Sequence, residues 1–479
     1  MRVLLICPNY TSIYGSYRYI YRKGFLNPPL SLCYLAASLE QAGHIARIID
    51  GEAEYLSLEE IIAIAQNFGP DLTALTATSI DFNKACKLAE ALKQQCPKVP
   101  IVLGGTHVNI FGVKAIEQTP AIDFACIGDG EDLIVELVES LTNGAGKKER
   151  FDKIPALIYR EGNKVVLNSF RKIEENIDRY PPPSRHLLKS DLYYRALPYR
   201  GYQVTAAAMS SRGCPFNCIF CAVKNIYGGT RVRLRSAENV LNELEQIVKE
   251  MGITHVSFND DCLTINRKRM LAICEGIHKR DLKFTWEGLS RADLLDRELL
   301  QSMKDAGFVR ISIGIESGNP EIMKVIKKQE TLQQIEEAIN IARELGIVTR
   351  GSVIIGNPYE TRDTIMDTFH LINKIKALDQ AVINILQPYP GTEVREMVMR
   401  GEGGTRFVGD ENSIERLQRF GSSSVAVNEL TPDRLIRLQK YGFIRFYIRP
   451  RTIIRNLKIT GIKTFIQDSL SFLRSIINI

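Results

Sequence analysis

The chain has 479 residues, 45% of them apolar and 24% charged, with a formal net charge of +7; that length asks for about three domains, and the composition excludes a disordered chain. No run approaches the roughly 18 apolar residues that cross a bilayer, and the ten cysteines are scattered without a secretion signal. A disulfide scaffold is therefore excluded, a reducing compartment is implied, and the expected location is cytoplasmic.

The first apolar run, RVLLICP, ends at Pro8 with no small-residue cleavage site after it, so it reads as a buried strand and not as a signal peptide. Four further strand-length runs follow, IARIID, DLTALTAT, PIVLGG and IDFACIG, separated by amphipathic stretches such as SLEEIIAIAQNFG and FNKACKLAEALKQQC. Five short buried strands alternating with helices predict an α/β domain over residues 1–142, a doubly wound parallel sheet of flavodoxin-like or Rossmann type. Such sheets bind ligands beyond the carboxyl ends of their strands. Those ends carry Asn9 and Tyr10, Thr78 and Ser79, Gly104, Gly105, Thr106 and His107, and Gly128, Gly130 and Glu131. Small residues there let backbone approach a bulky ligand, or simply make tight strand-to-helix turns; both readings stand.

Residues 143–200 read as a connector. KKER is expected to be exposed, IYREGNKVVL predicts a hairpin turning at Glu161-Gly162-Asn163, and the run of prolines at 181–183 is stiff. A second alternation begins near Val204 and places strands at TAAAMSS, THVSFND, KFTWEG, VRISIGIES, VTRGSVIIG and AVINILQPY, with helices between them. Six βα units are fewer than the eight of a closed barrel. A partial (β/α)6 barrel over 201–390 is the expectation, with its chemistry at the strand carboxyl ends.

The first of those strands runs into SSRGCPFNCIFC, which crowds Cys214, Cys218 and Cys221 into eight residues. A structural zinc site wants four protein ligands, and no further Cys or His stands nearby. Three thiolates on a four-iron cluster leave one iron open to a small molecule. The other seven cysteines, Cys7, Cys33, Cys86, Cys96, Cys126, Cys262 and Cys274, sit mostly in apolar or helical stretches and read as small packing residues.

The spacing Cys-x3-Cys-x2-Cys, with Phe220 at the aromatic position, resembles the signature of the radical S-adenosylmethionine (SAM) superfamily. That resemblance implies a [4Fe–4S] cluster on Cys214, Cys218 and Cys221, with SAM chelating the open iron. It implies contacts from Asn259, Asp260 and Asp261 to the SAM amino group, a bidentate pair between Arg291 and the SAM carboxylate, and Glu316 on the ribose hydroxyls. Gly356, in GSVIIGNPYE, falls near the adenine, and Gln387 ends the sixth strand. An external electron donor of flavodoxin or ferredoxin type is implied too, because cleavage of SAM to a 5′-deoxyadenosyl radical consumes an electron.

The sheet domain, with NPPLSLCYLAASLEQAGH, GGTHVNI and GDGEDL, resembles the cobalamin-binding group of the same superfamily, and the two resemblances together cover about residues 1–390. One departure stands out: there is no Asp-x-His-x-x-Gly motif to present a histidine to cobalt. His107 reads as a polar wall or cap, and the cobalamin as base-off. The implied function is a cobalamin-dependent methyltransferase acting on an unactivated carbon of a small or hydrophobic, lipid-like substrate. The alternative is a cyclase, oxidase or rearrangement enzyme resembling the anaerobic Mg-protoporphyrin monomethyl ester cyclase group. A methylthiotransferase would need a second set of cluster cysteines, and Cys7, Cys33 and Cys86 lack that spacing; a non-catalytic corrinoid or redox sensor is the remaining minor alternative.

The basic charge is local. Residues 434–479 hold ten Lys or Arg against Asp468, a charge of +9, so the rest of the chain sums to −2. The 391–479 region reads as helical, with Phe443, Ile444, Phe446, Tyr447, Ile453, Ile454, Phe465, Leu470, Phe472 and Leu473 among its apolar residues. Three readings compete: a helical cap on the barrel, peripheral contact with the inner face of the membrane, and, as the weakest, a nucleic-acid patch without a recognisable module.

Overall fold

The apolar run of β1 (Arg2–Cys7) is continuous because both of its faces are covered. Val3 and Leu5 pack with α1 (Leu30–Gln41) on one side of the sheet, while Leu4 and Ile6 pack against α2 (Leu58–Phe68) on the other. Alternating side chains leave opposite faces of a strand, so burial on both sides erases the apolar–polar alternation. The computed structural model describes residues 1–10, 13, 26–117, 119–142, 148–198, 201–410, 417, 420–462, 464–467 and 470. They form two units whose boundary in sequence lies between Tyr193 and Tyr194.

In the first unit β1 pairs in parallel with β2 (Ile45–Asp50) and β3 (Leu72–Thr76), and the sheet continues through β4 (Ile101–Gly104) and β5 (Phe124–Cys126). The helices are α1, α2, α3 (Phe82–Gln95), the short α4 (Thr106–Phe111) and α5 (Glu131–Thr142). Ser57 and Glu60 close a capping box that starts α2, satisfying two otherwise orphaned backbone donors. The strand order 2-1-3-4-5 is the flavodoxin-like one, and it places a topological switch between β1 and β3.

The sheet does not stop at five strands. β6 (Leu157–Glu161) and β7 (Lys164–Leu167) form the predicted hairpin around Gly162 and Asn163, but β6 pairs antiparallel with β5, so the hairpin extends the sheet to seven strands. The sequence places it in a connector because the partner strand lies in a distant part of the chain. Residues 143–147 and the side chains of 148–150, which carry the KKER stretch, lie outside the described residues.

The second unit is built on six parallel strands in sequential order: β8 (Ala206–Ala208), β9 (His255–Phe258), β10 (Thr285–Ser290), β11 (Phe308–Glu316), β12 (Val348–Ile355) and β13 (Gln380–Ile385). Helices α6 (Ala237–Glu245), α7 (Arg267–Lys279), α8 (Arg297–Asp305), α9 (Leu332–Glu344) and α10 (Arg362–Lys374) alternate with them. β8 and β13 are the two edges of this sheet, as a partial barrel requires. Ser236, Asn266, Asp296, Thr331 and Thr361 each cap the helix that follows with a side-chain acceptor, which is how polar residues mark where the helices begin.

The C-terminal region is helical, as expected. α11 (Pro432–Tyr447) lies along edge strand β13 and supplies what a neighbouring strand would have given it. The Tyr447 hydroxyl donates to the Ala381 carbonyl at 3.0 Å and accepts from the Ala381 N–H at 3.1 Å, and Gln439 Nε2 donates to the Ile383 carbonyl at 2.8 Å. Polar edge groups are thereby satisfied without a further strand. α12 (Pro450–Thr460) follows, and Arg449, Arg451 and Arg455 donate to the carbonyls of Asn373 and Lys376 at the end of α10. Cations at a helix carboxyl end satisfy orphaned carbonyls and oppose the dipole. Much of the tail's basicity therefore works inside the fold. No described helix is long and apolar enough to cross a membrane, and Phe472 and Leu473 lie outside the described residues.

Candidate active site

The cysteine loop is suspended between fixed points. It leaves a two-residue ladder in which Ser211 and Arg212 pair with Leu234 and Arg233. Gly213 turns the chain at φ +94°, where a Cβ would fall 2.2 Å from the Arg231 carbonyl oxygen, so no other residue fits. Farther on, the Ile219 N–H donates to the Ile326 carbonyl, and its own carbonyl accepts from Val394. Cys214, Cys218 and Cys221 are each half-buried, whereas Cys33, Cys126, Cys262 and Cys274 are buried. Burial raises all three loop thiols, Cys221 to about 11, and Cys214 and Cys218 raise Cys221 further; Lys328 and Arg291 act in the opposite direction on Cys214 and Cys218.

Two acidic neighbours in Asn259-Asp260-Asp261 do different work. Asp260 is buried and accepts from the Ser210 N–H at 3.0 Å and the Ser210 hydroxyl at 2.7 Å, while Arg269 donates to the Ser210 carbonyl at 2.6 Å. These bonds brace the root of the cysteine loop. Asp261 is half-buried and its carboxyl is pushed up to about 6 by burial, against a hydrogen bond from the Gly213 backbone. Asn259 is exposed.

Arg291 is likewise engaged within the protein. Its Nε and Nη2 edge is already bidentate to Asp293, at 2.9 and 2.8 Å, and Nη1 donates to the Lys328 carbonyl at 2.8 Å. The face of the guanidinium lies 3.7 Å from the ring centroid of Phe216, inside the cysteine loop. An edge engaged in this way is closed to a second carboxylate. A second buried cation near the loop is Lys328, which the sequence reading did not single out. Its Nζ lies 2.8 Å from Glu330 and 3.9 Å from Glu316. Burial alone would lower the Lys328 ammonium, but Glu316 and Glu330 override this and raise it. Lys327 and Gln329, on either side, have φ of +54° and +57°, and Glu316 has φ of +63° at a register break in β11. Left-handed backbone at non-glycine residues is costly and gathers at functional sites. A Cβ on Gly314 would lie 2.2 Å from Glu316 Oε1 and 3.0 Å from Lys328 Nζ, so the glycine makes the room that both groups occupy.

At the end of β12, Gly356 and Asn357 donate their N–H groups to Glu360, a fully buried carboxylate that desolvation pushes up to about 7. Gln387, after β13, is buried and accepts from the Ser424 hydroxyl at 3.4 Å, which ties it to the chain beyond the barrel. Phe220 packs against the barrel core. At the opposite ends of the strands a buried carboxylate, Glu287, pairs with Arg195 at 3.1 Å and Arg310 at 2.7 Å, with His255 at 3.8 Å. Burial would raise Glu287, but Arg310 and Arg195 override it and hold the carboxyl well below the usual range. This network is structural.

In the first unit the sequence-selected residues gather beyond the strand ends. Asn9 Nδ2 donates to the Leu56 carbonyl, the Tyr10 N–H donates to Glu52, and Thr78 donates both N–H and hydroxyl to Asp81. The sequence reading missed Asp50, Glu52 and Asp81, all buried; Asp50 accepts from the Tyr193 hydroxyl at 2.7 Å, and desolvation pushes Asp81 up to about 6. Gly105 is tightly held, with a Cβ position 2.4 Å from the Ala77 carbonyl oxygen, and Thr106 opens α4. A Cβ at Gly104 or Gly128 would meet nothing within 4 Å, whereas one at Gly130 would sit 3.0 Å from Leu35. Glu131 is buried at the start of α5. His107 is sandwiched between Phe82 at 3.8 Å and Phe111 at 4.4 Å, with Nδ1 3.3 Å from the Ser79 hydroxyl; desolvation lowers it to about 4.

Residues 209–372 match the model of the radical SAM superfamily, and residues 22–138 match that of the B12 binding domain. An uncharacterised methyltransferase of Pyrococcus horikoshii is 33% identical over 462 residues, covering 95% of each chain. The chain belongs to the cobalamin-binding radical SAM superfamily. This radical SAM protein is also 29% identical over 411 residues to the anaerobic magnesium-protoporphyrin IX monomethyl ester cyclase of Cereibacter sphaeroides, covering 83% of its own length and 64% of that cyclase. Its fold is that of the radical SAM methyltransferase TsrM from Kitasatospora setae, solved with cobalamin and a [4Fe–4S] cluster: TM-score 0.72 at 17% identity, over 94% of this chain and 89% of that one.

The cofactors of this radical SAM enzyme are accordingly a [4Fe–4S] cluster, SAM and cobalamin, and it requires a small-molecule substrate and an electron donor. The residues present fit them. Cys214, Cys218 and Cys221 lie on one loop, partly exposed and free of disulfides, and a cluster can take each thiolate on a different iron. The open space above Gly104 and Gly128 admits a broad ligand where a β-carbon would otherwise stand.

Proposed function

We propose that this enzyme moves a methyl group from SAM, by way of cobalamin, to an unactivated carbon of a small or hydrophobic substrate. The observation that carries this reading is the similarity to a methyltransferase, 33% identical over 95% of both chains, against 26–29% identity to the cyclases. When bound, the cluster and SAM supply a hydrogen-abstracting radical, and cobalamin supplies the methyl group.

In this proposal Cys214, Cys218 and Cys221 hold three irons. Glu316 accepts the ribose hydroxyls, and Lys328, 3.9 Å from it, meets the SAM carboxylate in place of Arg291. Asn259 and Asp261 take the amino group, Gly356 lets backbone approach the adenine, and Phe220 and Gln387 line the remainder. Arg291 and Asp260 act by position, fixing the cysteine loop from its Phe216 and Ser210 ends. In the first unit Asn9, Tyr10, Thr78, Ser79, Gly104, Gly105, Thr106, Gly128, Gly130 and Glu131 line the cobalamin crevice, and His107 is part of its wall.

Methyl-labelled SAM should deliver its label to the product, one methyl per turnover. Ring closure or desaturation without label would establish the cyclase-type alternative. A second expectation concerns cobalt. His107 is stacked between two rings with its Nδ1 beside Ser79, so bound cob(II)alamin should show no axial-nitrogen splitting by electron paramagnetic resonance. Nitrogen splitting that disappears in His107→Ala would overturn this assignment.

A further inference from the structure

Among the described residues, one face of the barrel-capping helices is exposed. Between α11 and α12 a shallow hollow is lined by Asn373, Arg445, Arg449, Pro450 and Arg451. Arg449 donates Nε to the Phe446 carbonyl at 2.9 Å and Nη1 to the Asn373 carbonyl at 3.0 Å, while its Nη2 is buried with no hydrogen-bond partner among the described residues. Arg451 donates to the same Asn373 carbonyl at 2.6 Å, and Arg445 donates to the Tyr441 hydroxyl at 2.9 Å. Burial, then Arg451, Arg445 and Arg455, lower Arg449 to about 10, and among the described residues only Arg455 of these cations has a carboxylate, Asp379 at 3.1 Å. Positive charge is therefore concentrated at the hollow beyond what the fold uses.

The surroundings of the hollow decide between ligands. Ile444, Ile448 and Ile454, next in sequence to its arginines or within one helical turn of them, are exposed, Ile448 at 65%. A strand of nucleic acid asks for aromatic faces on which bases stack; branched aliphatic side chains next to guanidinium groups suit the boundary between lipid headgroups and acyl chains. We propose that this face docks on an anionic phospholipid bilayer, with a lipid phosphate in the Arg445–Arg449–Arg451 hollow and Ile448 and Ile454 inserted beside it. The proposal is independent of methyl transfer, since a soluble substrate could still be methylated by a protein that sits on a membrane.

The test uses the full chain carrying its cluster and mixed vesicles in which roughly one lipid in three is phosphatidylglycerol, the rest phosphatidylcholine. Sedimentation with these vesicles at low salt, release as salt rises, and no binding to pure phosphatidylcholine are expected. The double variant Arg445→Gln/Arg451→Gln should bind about thirtyfold more weakly, the loss of two cations near a charged leaflet. Ile448→Ser should weaken binding with charge unchanged, since the Ile448 side chain is exposed and its backbone bond to Ile444 is kept. Both should keep the parent's circular dichroism and SAM cleavage. Absence of vesicle binding, equal binding to phosphatidylcholine, or parent-like binding by the folded variants would each overturn the proposal. So would release by inorganic phosphate at an ionic strength where chloride does not release, which identifies a free-anion site. Arginine-dependent retention on single-stranded RNA without vesicle binding would assign the face to nucleic acid instead.

Discussion

Replacing any one of Cys214, Cys218 or Cys221 with Ala should abolish formation of 5′-deoxyadenosine by the reduced protein and leave reconstituted iron and sulfide far below four of each per chain. The loop provides three thiols and no spare. The other thiol near it, Cys262, is 1% exposed with its Sγ 3.9 Å from the Ser290 hydroxyl, and burial pushes it up to about 11. Its side chain packs away from the half-exposed trio and cannot swing out without vacating core. Cys262→Ala and Cys274→Ala should accordingly retain the cluster and cleave SAM. Parent-like cleavage by any single variant of the trio would remove the basis of the site. Loss of the cluster in Cys262→Ala with the fold intact would instead add that thiol to the donor set.

Removing everything after Glu429 should unfold the barrel. That cut exposes Phe369 and Ile383 on the surface against which α11 packs and strips the backbone partners from Ala381 and Ile383 on edge strand β13. It also takes the fully buried Leu435 and Phe446 out of the core, and the three arginines from the end of α10. Phe446→Ala alone should cost about 3–5 kcal/mol, the range for truncating a buried aromatic ring. Tyr447→Phe, which leaves an N–H and a carbonyl of Ala381 unpaired, should cost about 1–3 kcal/mol. Denaturant titration of the point variants and gel filtration of the truncated chain check these values. A truncated protein that stays monomeric and keeps its cluster would show that the tail is dispensable to the barrel.

The strands and their site-bearing ends were legible because covered sheets leave continuous apolar runs and because chemistry gathers where strands finish. The cluster loop was legible from three cysteines and the lack of a fourth. What escaped depends on contacts distant in sequence. Lys328 lies twelve residues past Glu316 in a polar KKQE stretch, and only folding returns it to the strand end. Asp260 and Asp261 are adjacent and chemically identical, yet one faces Ser210 and the other faces the loop. Arg291 did carry a warning in its own sequence: Asp293, two residues on, is close enough to engage the guanidinium edge first. Glu287 and Arg310 carried another, since each is the third residue of its strand, at the same level of neighbouring strands, where opposite charges can pair. The 157–167 hairpin was recognised, but its pairing with β5 was not, because a hairpin's own residues fix its turn and say nothing of its third partner.

The two left-handed residues that flank Lys328 constrain how this protein can drift in sequence. Each holds a conformation that costs an ordinary side chain about 1–2 kcal/mol, and a branched β-carbon clashes further there. Positions 327 and 329 are thus open to glycine and asparagine, which relieve that cost, and closed to valine, isoleucine and threonine, whatever their hydrophobicity. A chain evolving toward a new substrate can exchange the lining of its pocket freely, while this short arc around a single ammonium group stays confined to a few residue types by backbone geometry alone.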